Sequence, residues 1–408
     1  MLSRVNCVNL YRIIKKSKLK WRFTDMRIAV VGGGAAGFEA LNTFISGKIE
    51  AELTLISDEP VLPYRRPALT RMLAEPVPDA QFYLKPDSYY RDNGIALELN
   101  NPAVALDAAD RRLTLKDGKE ITADKIILAC GASSRTLPLK GAELEGIFPG
   151  RHLSDFTAAS DYVRLNGVKR AAVIGGGLLG LEFAAGLVAK GVDVAVLELC
   201  PFIMPRQLDE EGGRIFMAAM KKVKNLSAHY GVHVTGFTGK GGKVAAVELG
   251  EGDAVPAELV IWAMGAAPNI ALAEAGGLAV NRGIITGRDM QSSVAGIYAA
   301  GDCAEVDGVV SGLWNPAREQ GKVAALNIMG EHTEYTVKPA AARFTGFGTR
   351  LYSIGEAGGC VEGVEREISS DPEKGVYQAL TRRDGRLTGI LLLGDVSAAL
   401  KLEKELLS

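Results

Sequence analysis

The fold is decided by residues 27 to 39, which read Arg27-Ile28-Ala29-Val30-Val31-Gly32-Gly33-Gly34-Ala35-Ala36-Gly37-Phe38-Glu39. A short apolar run predicts a buried strand, and the spacing Gly32-x-Gly34-x-x-Gly37 leads from it into a helix predicted over 35–46. Gly32 permits the tight turn, Gly34 lets a pyrophosphate approach the backbone, and Gly37 lets the helix pack close to the strand. The helix N-terminus then offers free N–H groups and a positive dipole to the phosphates. The stretch therefore predicts a dinucleotide-binding unit.

The same design recurs 143 residues later, at Gly175-x-Gly177-x-x-Gly180. A strand precedes these glycines, a helix follows them, and a second strand ends at Glu198, 18 positions after Gly180. A carboxylate at this position hydrogen-bonds a free ribose 2′-hydroxyl and repels a 2′-phosphate, so we expect NADH to be preferred over NADPH. Two dinucleotide sites in one chain indicate two cofactors that must meet.

A carboxylate also follows the second strand of the first unit, which we predict over 51–57. Asp58 and Glu59 lie about 20 residues past Gly37, where a carboxylate can bind the ribose of an adenosine. Spacing does not choose between them; we prefer Glu59, and a turn-capping role before Pro60 is the alternative for either residue.

Three arginines then follow within seven residues, Arg65, Arg66 and Arg71. Beside a dinucleotide site they can neutralise phosphate or steer an acidic partner. The alternative is an exposed basic loop without a ligand.

The length of 408 residues indicates two or three globular domains. Residues 1–25 carry seven basic residues and one acidic residue, a charge of +6, which leaves −7 for the remainder and no basic surface for a nucleic acid. We expect this basic leader to be disordered or not native, with a transit peptide as the alternative. Five scattered cysteines favour a reducing, cytoplasmic location, and no apolar stretch reaches the roughly 18 residues of a membrane span.

The later segments predict further strands and two more helices. Residues 229–264 predict a meander with glycine turns, 296–302 a strand that ends in a Gly-Asp corner, and 315–329 a helix. Residues 332–408 lack a glycine fingerprint and predict several strands with a closing helix over 397–407. His229 and His233 are four apart, but Gly231 between them disfavours a helix, so no metal site is expected.

Together these motifs resemble the FAD-dependent pyridine nucleotide oxidoreductases that have two dinucleotide-binding domains, over residues 26–408. The resemblance implies an α/β fold with two Rossmann-like, three-layer ββα domains and a small α+β C-terminal domain. It implies an FAD-binding domain over 26–140 and 268–330, an NAD(H)-binding domain over 141–267 and a C-terminal domain over 331–408.

By this resemblance, the first glycine loop holds FAD and the second holds NAD(H). Ala129-Cys130-Gly131 resembles the family's Ala-Thr-Gly strand end, and Gly265 opens a second such turn, on the NAD side. Gly301-Asp302 resembles the second FAD motif, in which the Asp binds the ribityl chain of the flavin. The helix that begins near Trp314 resembles the one whose N-terminus faces the flavin pyrimidine and stabilises the reduced anionic flavin.

The branch of the family is indicated by the absence of the redox cysteines that other branches carry and by the residues found in their place. The chain has neither the Cys-x4-Cys of the disulfide reductases nor the single redox cysteine that other branches carry near positions 65–75. Arg66-Pro67-x-Leu69-Thr70-Arg71 is instead similar to the Arg-Pro-x-Leu-Ser-Lys stretch of the ferredoxin, rubredoxin and nitrite-reductase-like branch. The resemblance implies that Arg66 helps to hold FAD, that Arg71 lies near the flavin in place of Lys, and that Glu182 lies near the nicotinamide.

The implied function is hydride transfer from NADH to FAD, followed by electron transfer to a small iron–sulfur carrier of the rubredoxin or ferredoxin type. It needs no protein nucleophile and no redox-active disulfide, so Cys130, Cys200 and Cys303 are expected to be small buried hydrophobic residues. The alternatives are an NADH oxidase, a nitrite-reductase-like NADH dehydrogenase component, and an NADH-responsive redox sensor. We expect a monomer or a homodimer.

Overall fold

The computed structural model describes residues 26–74, 77–358 and 363–408. The basic leader over 1–25 lies outside these ranges, as does Cys360. The side chain of Arg71, which the resemblance places near the flavin, is also outside the described part. None of the described helices combines the length and the apolar character that a membrane crossing requires.

The strands are short, and in chain order they are β1 (Arg27–Val31), β2 (Glu52–Ile56), β3 (Ala96–Glu98), β4 (Ala103–Asp107), β5 (Arg112–Leu115), β6 (Glu120–Thr122), β7 (Lys125–Leu128), β8 (Ala132–Ser134), β9 (Ile147–Pro149), β10 (Arg170–Ile174), β11 (Asp193–Glu198), β12 (Leu226–Tyr230), β13 (Val234–Lys240), β14 (Lys243–Leu249), β15 (Ala254–Pro256), β16 (Leu259–Trp262), β17 (Ala266–Pro268), β18 (Ile284–Thr286), β19 (Ile297–Ala299), β20 (Ala304–Val306), β21 (Ala342–Gly346), β22 (Thr349–Gly355), β23 (Glu365–Asp371), β24 (Val376–Arg383) and β25 (Arg386–Leu393). The α-helices are α1 (Ala35–Ser46), α2 (Leu69–Ala74), α3 (Asp79–Phe82), α4 (Asp87–Asp92), α5 (Leu153–Asn166), α6 (Leu178–Ala189), α7 (Glu210–Met220), α8 (Ala271–Ala275), α9 (Trp314–Ile328) and α10 (Ala399–Leu406).

The opening stretch forms the centre of a parallel sheet with the strand order β19-β7-β1-β2-β3. β1 pairs in parallel with β2 on one side and with β7 on the other, and it is buried from Ile28 to Val31. A parallel strand covered on both faces needs apolar residues throughout, which is why this run lacks alternation. α1 is the crossover from β1 to β2, and the helix predicted over 35–46 is confirmed. This sheet with α1–α4 and α9 is called the first unit below.

A second parallel sheet repeats this arrangement, with the strand order β12-β11-β10-β16-β9. β10 pairs in parallel with β11 and β16, and α6 is the crossover to β11. The prediction of one meander over 229–264 is wrong at both ends, because β12 and β16 belong to the parallel sheet and only β13, β14 and β15 form an antiparallel sheet. Local alternation does not show that a strand pairs with a partner far away in sequence. This sheet with α5–α7 is called the second unit.

The two long helices of the first unit cross in close contact. A Cβ atom at Gly321 of α9 would overlap the carbonyl oxygen of Ala36 in α1. A Cβ atom at Gly301 would lie 3.0 Å from the Ala36 methyl and 3.6 Å from the Ala317 methyl. The first turns of α1 and α9 therefore meet the Gly-Asp corner at the carboxyl ends of β1, β7 and β19, where ligands bind in open α/β sheets.

The C-terminal residues form an antiparallel sheet with the strand order β21-β22-β25-β24-β23, against which α10 packs. Asp209, at the start of α7, joins this sheet to the second unit. Its carboxylate accepts a hydrogen bond of 2.6 Å from the Tyr377 hydroxyl and pairs with Arg366 at 2.9 Å. The predicted fold class, two Rossmann-like dinucleotide-binding domains with a small α+β C-terminal domain, is confirmed.

Candidate cofactor site

The three spaced glycines of the first loop have different surroundings. Gly32 has φ +113°, and a Cβ atom there would overlap the carbonyl oxygen of Ala129. A Cβ atom at Gly37 would overlap the carbonyl oxygen of Gly32, so the helix packs directly on the loop. A Cβ atom at Gly34 would meet nothing within 4 Å, and no side chain caps α1 at this end. The open side of the loop is therefore lined by backbone N–H groups.

The second loop has the same geometry. Gly175 has φ +110°, and its Cβ position collides with the carbonyl oxygen of Ala263, while that of Gly180 collides with Gly175. Gly177, like Gly34, faces open space within 4 Å, and no side chain caps α6. The repeat detected in the sequence is therefore a repeat of backbone shape.

The two loops differ in the residue that follows the second strand. Glu198 is buried, and its two carboxylate oxygens accept hydrogen bonds of 2.6 Å from the Gly176 N–H and 2.8 Å from the Cys200 N–H. In the first unit the corresponding place beside Gly33 belongs to Ser57, whose hydroxyl would lie 3.5 Å from a Cβ atom at Gly33. A carboxylate is thus fixed against the glycine loop in the second unit, and a hydroxyl takes its place in the first.

Glu59 follows Ser57 closely in the sequence, but its carboxylate has other partners than the glycine loop. Its carboxylate accepts hydrogen bonds of 2.7 Å from the Tyr64 hydroxyl and 2.9 Å from the Arg66 guanidinium, and His152 lies 3.5 Å away. Burial alone would raise the pKa of Glu59, but His152, Arg66 and Tyr64 together lower it to about 2. The ribose contact predicted for Glu59 stays a prediction. Asp58, the alternative residue for this contact, is exposed.

Two residues that the sequence analysis did not select complete this cluster. Arg151 pairs with Asp302, the residue expected at the ribityl chain, and donates a hydrogen bond of 3.1 Å to the carbonyl oxygen of Ala132. The Arg66 guanidinium donates a 2.5 Å hydrogen bond to the carbonyl oxygen of Arg151. The available signal was Asp155 at the third position of a helix, a pattern typical of a helix start, which places Arg151 and His152 directly before α5.

The predicted flavin side of the loop is built from strand ends and one helix start. β8 and β17 pair in antiparallel fashion, and Asn269 donates a hydrogen bond of 2.9 Å to the carbonyl oxygen of Cys130. Gly131, with φ +67°, and Gly265, with φ +91°, directly precede these two strands, and both face open space. Trp314 begins α9, which no side chain caps. The structure therefore brings Cys130, Gly131 and the start of α9 toward one edge of the first sheet.

Glu182 lies on α6, where this helix packs against α2. Burial raises the pKa of Glu182 to about 7, although the neighbouring Thr70 side chain of α2 favours the ionised carboxylate. The helices approach closely because Gly186 has no side chain: a Cβ atom there would lie 2.8 Å from the Leu73 Cβ. The residue expected near the nicotinamide therefore lies at the contact between the two units.

The residues of the first loop fit a dinucleotide cofactor such as FAD. The loop exposes backbone donors at Gly34, where an added Cβ would fill open space, and Asp302 supplies a carboxylate at the neighbouring corner. A metal site has no such support: among residues 26–74, 77–358 and 363–408, no three His, Cys, Asp or Glu side chains are placed to share a metal ion.

Two glycine loops of one geometry, each on its own parallel sheet, define a protein with two dinucleotide-binding units. The sequence profile of the pyridine nucleotide-disulphide oxidoreductase family matches residues 26–321, and the chain belongs to this family. The profile of the rubredoxin NAD+ reductase C-terminal domain matches residues 341–408. Members of the family use FAD and NADH as cofactors.

Three known proteins show how far the similarity extends. Nitrite reductase [NAD(P)H] of Bacillus subtilis is 32% identical over 92% of this chain, which spans 46% of that protein, about half its length. Rubredoxin-NAD(+) reductase of Pseudomonas putida is 32% identical over 77% of this chain and 83% of its own length. The crystal structure of NADH:rubredoxin oxidoreductase from Clostridium acetobutylicum is 26% identical, with a TM-score of 0.77 over 94% of this chain and 95% of that one.

Proposed function

We propose that this protein is an FAD-dependent NADH oxidoreductase that passes electrons to a small iron–sulfur carrier of the rubredoxin or ferredoxin type. The observation that carries the proposal is the pair of matching loops, one with a carboxylate fixed against it, in a chain whose residues 341–408 match the rubredoxin NAD+ reductase C-terminal domain. The similarity to rubredoxin-NAD(+) reductase over most of that protein's length supports the choice of carrier.

The proposed domains are an FAD-binding domain over 26–140 and 268–330, an NAD(H)-binding domain over 141–267 and a C-terminal domain over 331–408. The pairing of β8 with β17 supports this division, because both strands of this small sheet lie next to the proposed boundaries. The second parallel sheet, from β9 to β16, lies entirely between those two strands in the sequence.

FAD is assigned to the first loop and NADH to the second. The support for NADH is Glu198, which is held by the Gly176 and Cys200 N–H groups where it can accept a hydrogen bond from a ribose hydroxyl. The support for FAD is the convergence of the first loop, the Asp302 corner and the start of α9 at one sheet edge. Arg66 and Arg151 lie in the same cluster, where they compensate the charges of Glu59 and Asp302.

Bound FAD would accept a hydride from NADH and return electrons singly to a carrier. The protein's own contribution is binding and orientation. The backbone N–H groups of α1 and α6 would hold the two pyrophosphates, and the start of α9 would place a positive dipole at the flavin. Because the pKa of Glu182 is about 7, its carboxylate is present in both protonation states near neutral pH and can hold or release a proton there.

The proposed docking of the carrier concerns the three arginines within residues 65–71. Arg65 is exposed, whereas Arg66 is paired with Glu59 and donates to the Arg151 backbone. Arg65 is therefore the arginine that we propose to attract an acidic carrier. The side chain of Arg71 lies outside the described part of the structure.

A component of a longer nitrite-reducing enzyme is the second candidate, because the nitrite reductase relative matches nearly the whole chain. Anaerobic titration with NADH tests both readings at once. NADH should bleach the bound flavin, and the reduced protein should pass electrons to rubredoxin. If the reduced protein does not reduce rubredoxin or ferredoxin but does reduce a nitrite-reductase partner, the second candidate is favoured.

A further inference from the structure

One segment of the second unit lies between the second glycine loop and the C-terminal sheet. We call residues 199–209, which connect β11 to α7, the bridging segment. It follows the loop carboxylate Glu198 and ends at Asp209, whose side chain caps the N-terminus of α7. Ile203 and Met204, in its middle, are completely buried. The middle of the segment therefore belongs to the core and is not a free surface loop.

The bridging segment holds the middle glycine of the second loop. The Met204 N–H donates a hydrogen bond of 2.9 Å to the Gly176 carbonyl oxygen, and the Gly176 N–H donates one of 2.6 Å to Glu198. A Cβ atom at Gly176 would lie 2.9 Å from an Ile203 methyl, whereas a Cβ atom at Gly33, in the first loop, would meet its first neighbour at 3.5 Å. The second loop is therefore packed more tightly against its following segment than the first loop is.

A closed turn connects the loop contact to the end of the bridging segment. Met204 has φ +47°, a left-handed conformation that is uncommon for a residue with a side chain. Its carbonyl oxygen accepts hydrogen bonds of 2.9 Å from the Gln207 N–H and 2.8 Å from the Leu208 N–H. Such a conformation persists only where the surroundings hold it. The position of Met204 therefore depends on how Asp209, directly after this turn, is held.

The C-terminal sheet holds that end of the bridging segment. Asp209 is buried, and its Oδ2 atom accepts a hydrogen bond of 2.6 Å from the Tyr377 hydroxyl of β24 and pairs with Arg366 of β23 at 2.9 Å. Gly358 packs on the backbone of the segment, because a Cβ atom there would lie 2.8 Å from the Arg206 carbonyl oxygen. A buried carboxylate needs such partners, so the two strands fix where Asp209 lies.

We propose that Asp209, Tyr377 and Arg366 are positioning residues for NADH, which act through the bridging segment on the second glycine loop. This inference deepens the proposed function and rests on its assignment of NADH to the second loop. The path from the sheet to the loop runs through Asp209, Met204 and Gly176. A change at Tyr377 should therefore weaken NADH binding and leave FAD binding at the first loop unchanged.

Tyr377→Phe tests the inference, because it removes one hydroxyl and keeps the buried ring. The FAD-loaded protein is titrated with ADP-ribose, the part of NADH that the second loop is expected to hold. KM and kcat for NADH are then measured with ferricyanide as the electron acceptor. We expect the dissociation constant for ADP-ribose and the KM for NADH to rise about fivefold, the lower end of couplings between separate sites. The value of kcat and the FAD content should stay unchanged.

Tyr352→Phe is the matched control, because Tyr352 lies on the face of the same sheet that packs against α10. It should change neither the dissociation constant nor KM. Asp209→Asn keeps an oxygen that can cap α7 but loses the charge opposite Arg366, so it should also weaken the binding of ADP-ribose. Adding Tyr377→Phe to Asp209→Asn should have less effect than Tyr377→Phe alone, because both changes act on one contact.

Unchanged ADP-ribose binding and KM in Tyr377→Phe would overturn the inference, as would an equal rise in Tyr352→Phe or a loss of FAD. Gly177→Ala separates this failure from a failure of the proposed function. If Gly177→Ala weakens ADP-ribose binding and Tyr377→Phe does not, NADH occupies the second loop but the sheet does not position it. If neither variant weakens binding, the assignment of NADH to the second loop fails, and the inference fails with it.

Discussion

Thr70 of α2 lies beside the Glu182 carboxylate of α6, where the first unit packs against the second. A carboxyl whose pKa is about 7 therefore lies at the contact between the two units. A carboxyl with so high a pKa is costly to ionise, and such groups cluster at functional sites. The relationship therefore has consequences both for stability and for the proposed site.

The first prediction concerns the pH dependence of stability. The pKa of Glu182 is about 7 in the folded protein and about 4.5 in the unfolded chain, so the unfolded state binds fewer protons between these values. The stability of the wild type should fall as pH rises from about 4.5 through 7, and Glu182→Gln should escape this loss. We expect the variant to gain about 1 to 3 kcal/mol relative to wild type between pH 5 and pH 8, measured by urea unfolding. The exposed Glu331→Gln is the control, and parallel pH curves for wild type and Glu182→Gln would contradict the prediction.

The second prediction tests which glycine loop binds FAD and which binds NADH. Gly34 and Gly177 have extended backbones, φ −75° and −77°, and open space at the Cβ position, so alanine is tolerated at both. The new methyl would project toward the expected pyrophosphate. Gly34→Ala should lose FAD on desalting, whereas Gly177→Ala should keep FAD and raise the KM for NADH about tenfold, near 1.4 kcal/mol.

Gly32→Ala is the contrasting variant for this pair. It should be unstable rather than selectively impaired, because its Cβ would overlap Ala129 at φ +113°. The assignment of cofactors to loops fails if Gly34→Ala retains FAD but loses NADH affinity.

The third prediction concerns the choice between NADH and NADPH. Glu198 is buried against the loop, so an arginine fits poorly there, but the adjacent Leu199 is 66% exposed. Leu199→Arg should add a cation near the expected 2′-phosphate and raise the NADPH/NADH ratio of kcat/KM by roughly 10-fold, the effect of one hydrogen bond to a charged group. Adding Glu198→Ala should raise it further by removing the repulsion. Leu165→Arg, at another exposed leucine, should leave the ratio unchanged; an equal change there, or none at Leu199, would refute the placement of the ribose.

The fourth prediction concerns the carrier. Arg65→Glu should lower kcat/KM for rubredoxin by about tenfold at low salt while flavin reduction by NADH stays unchanged. The difference should shrink at high salt, since screening weakens exposed charges. Lys240→Glu, at the exposed last residue of β13, is the matched control. If Arg65→Glu and wild type show the same turnover and salt dependence, the carrier docks elsewhere.

The sequence predicted those parts of the fold that depend on local backbone chemistry. The glycine spacing predicted α1 over 35–46, and the fingerprints are backbone devices that need no distant partner. The pairing of β12 and β16 within the parallel sheet escaped prediction, because their partners β11 and β10 are distant in sequence. The same reason applies to Glu59, because its partner His152 lies far away in the sequence, directly before α5. Side-chain clusters that join two units cannot be predicted from local patterns.

The rate at which the NADH-reduced flavoprotein is reoxidised distinguishes a carrier reductase from an NADH oxidase. The protein is reduced anaerobically with NADH and then mixed with oxidised rubredoxin, with ferredoxin or with air-saturated buffer. We expect fast, saturable reoxidation by an iron–sulfur carrier and slow reoxidation by oxygen. Fast reaction with oxygen alone would contradict it and identify an NADH oxidase, and a stable reduced state that reacts with none of them would indicate a redox sensor.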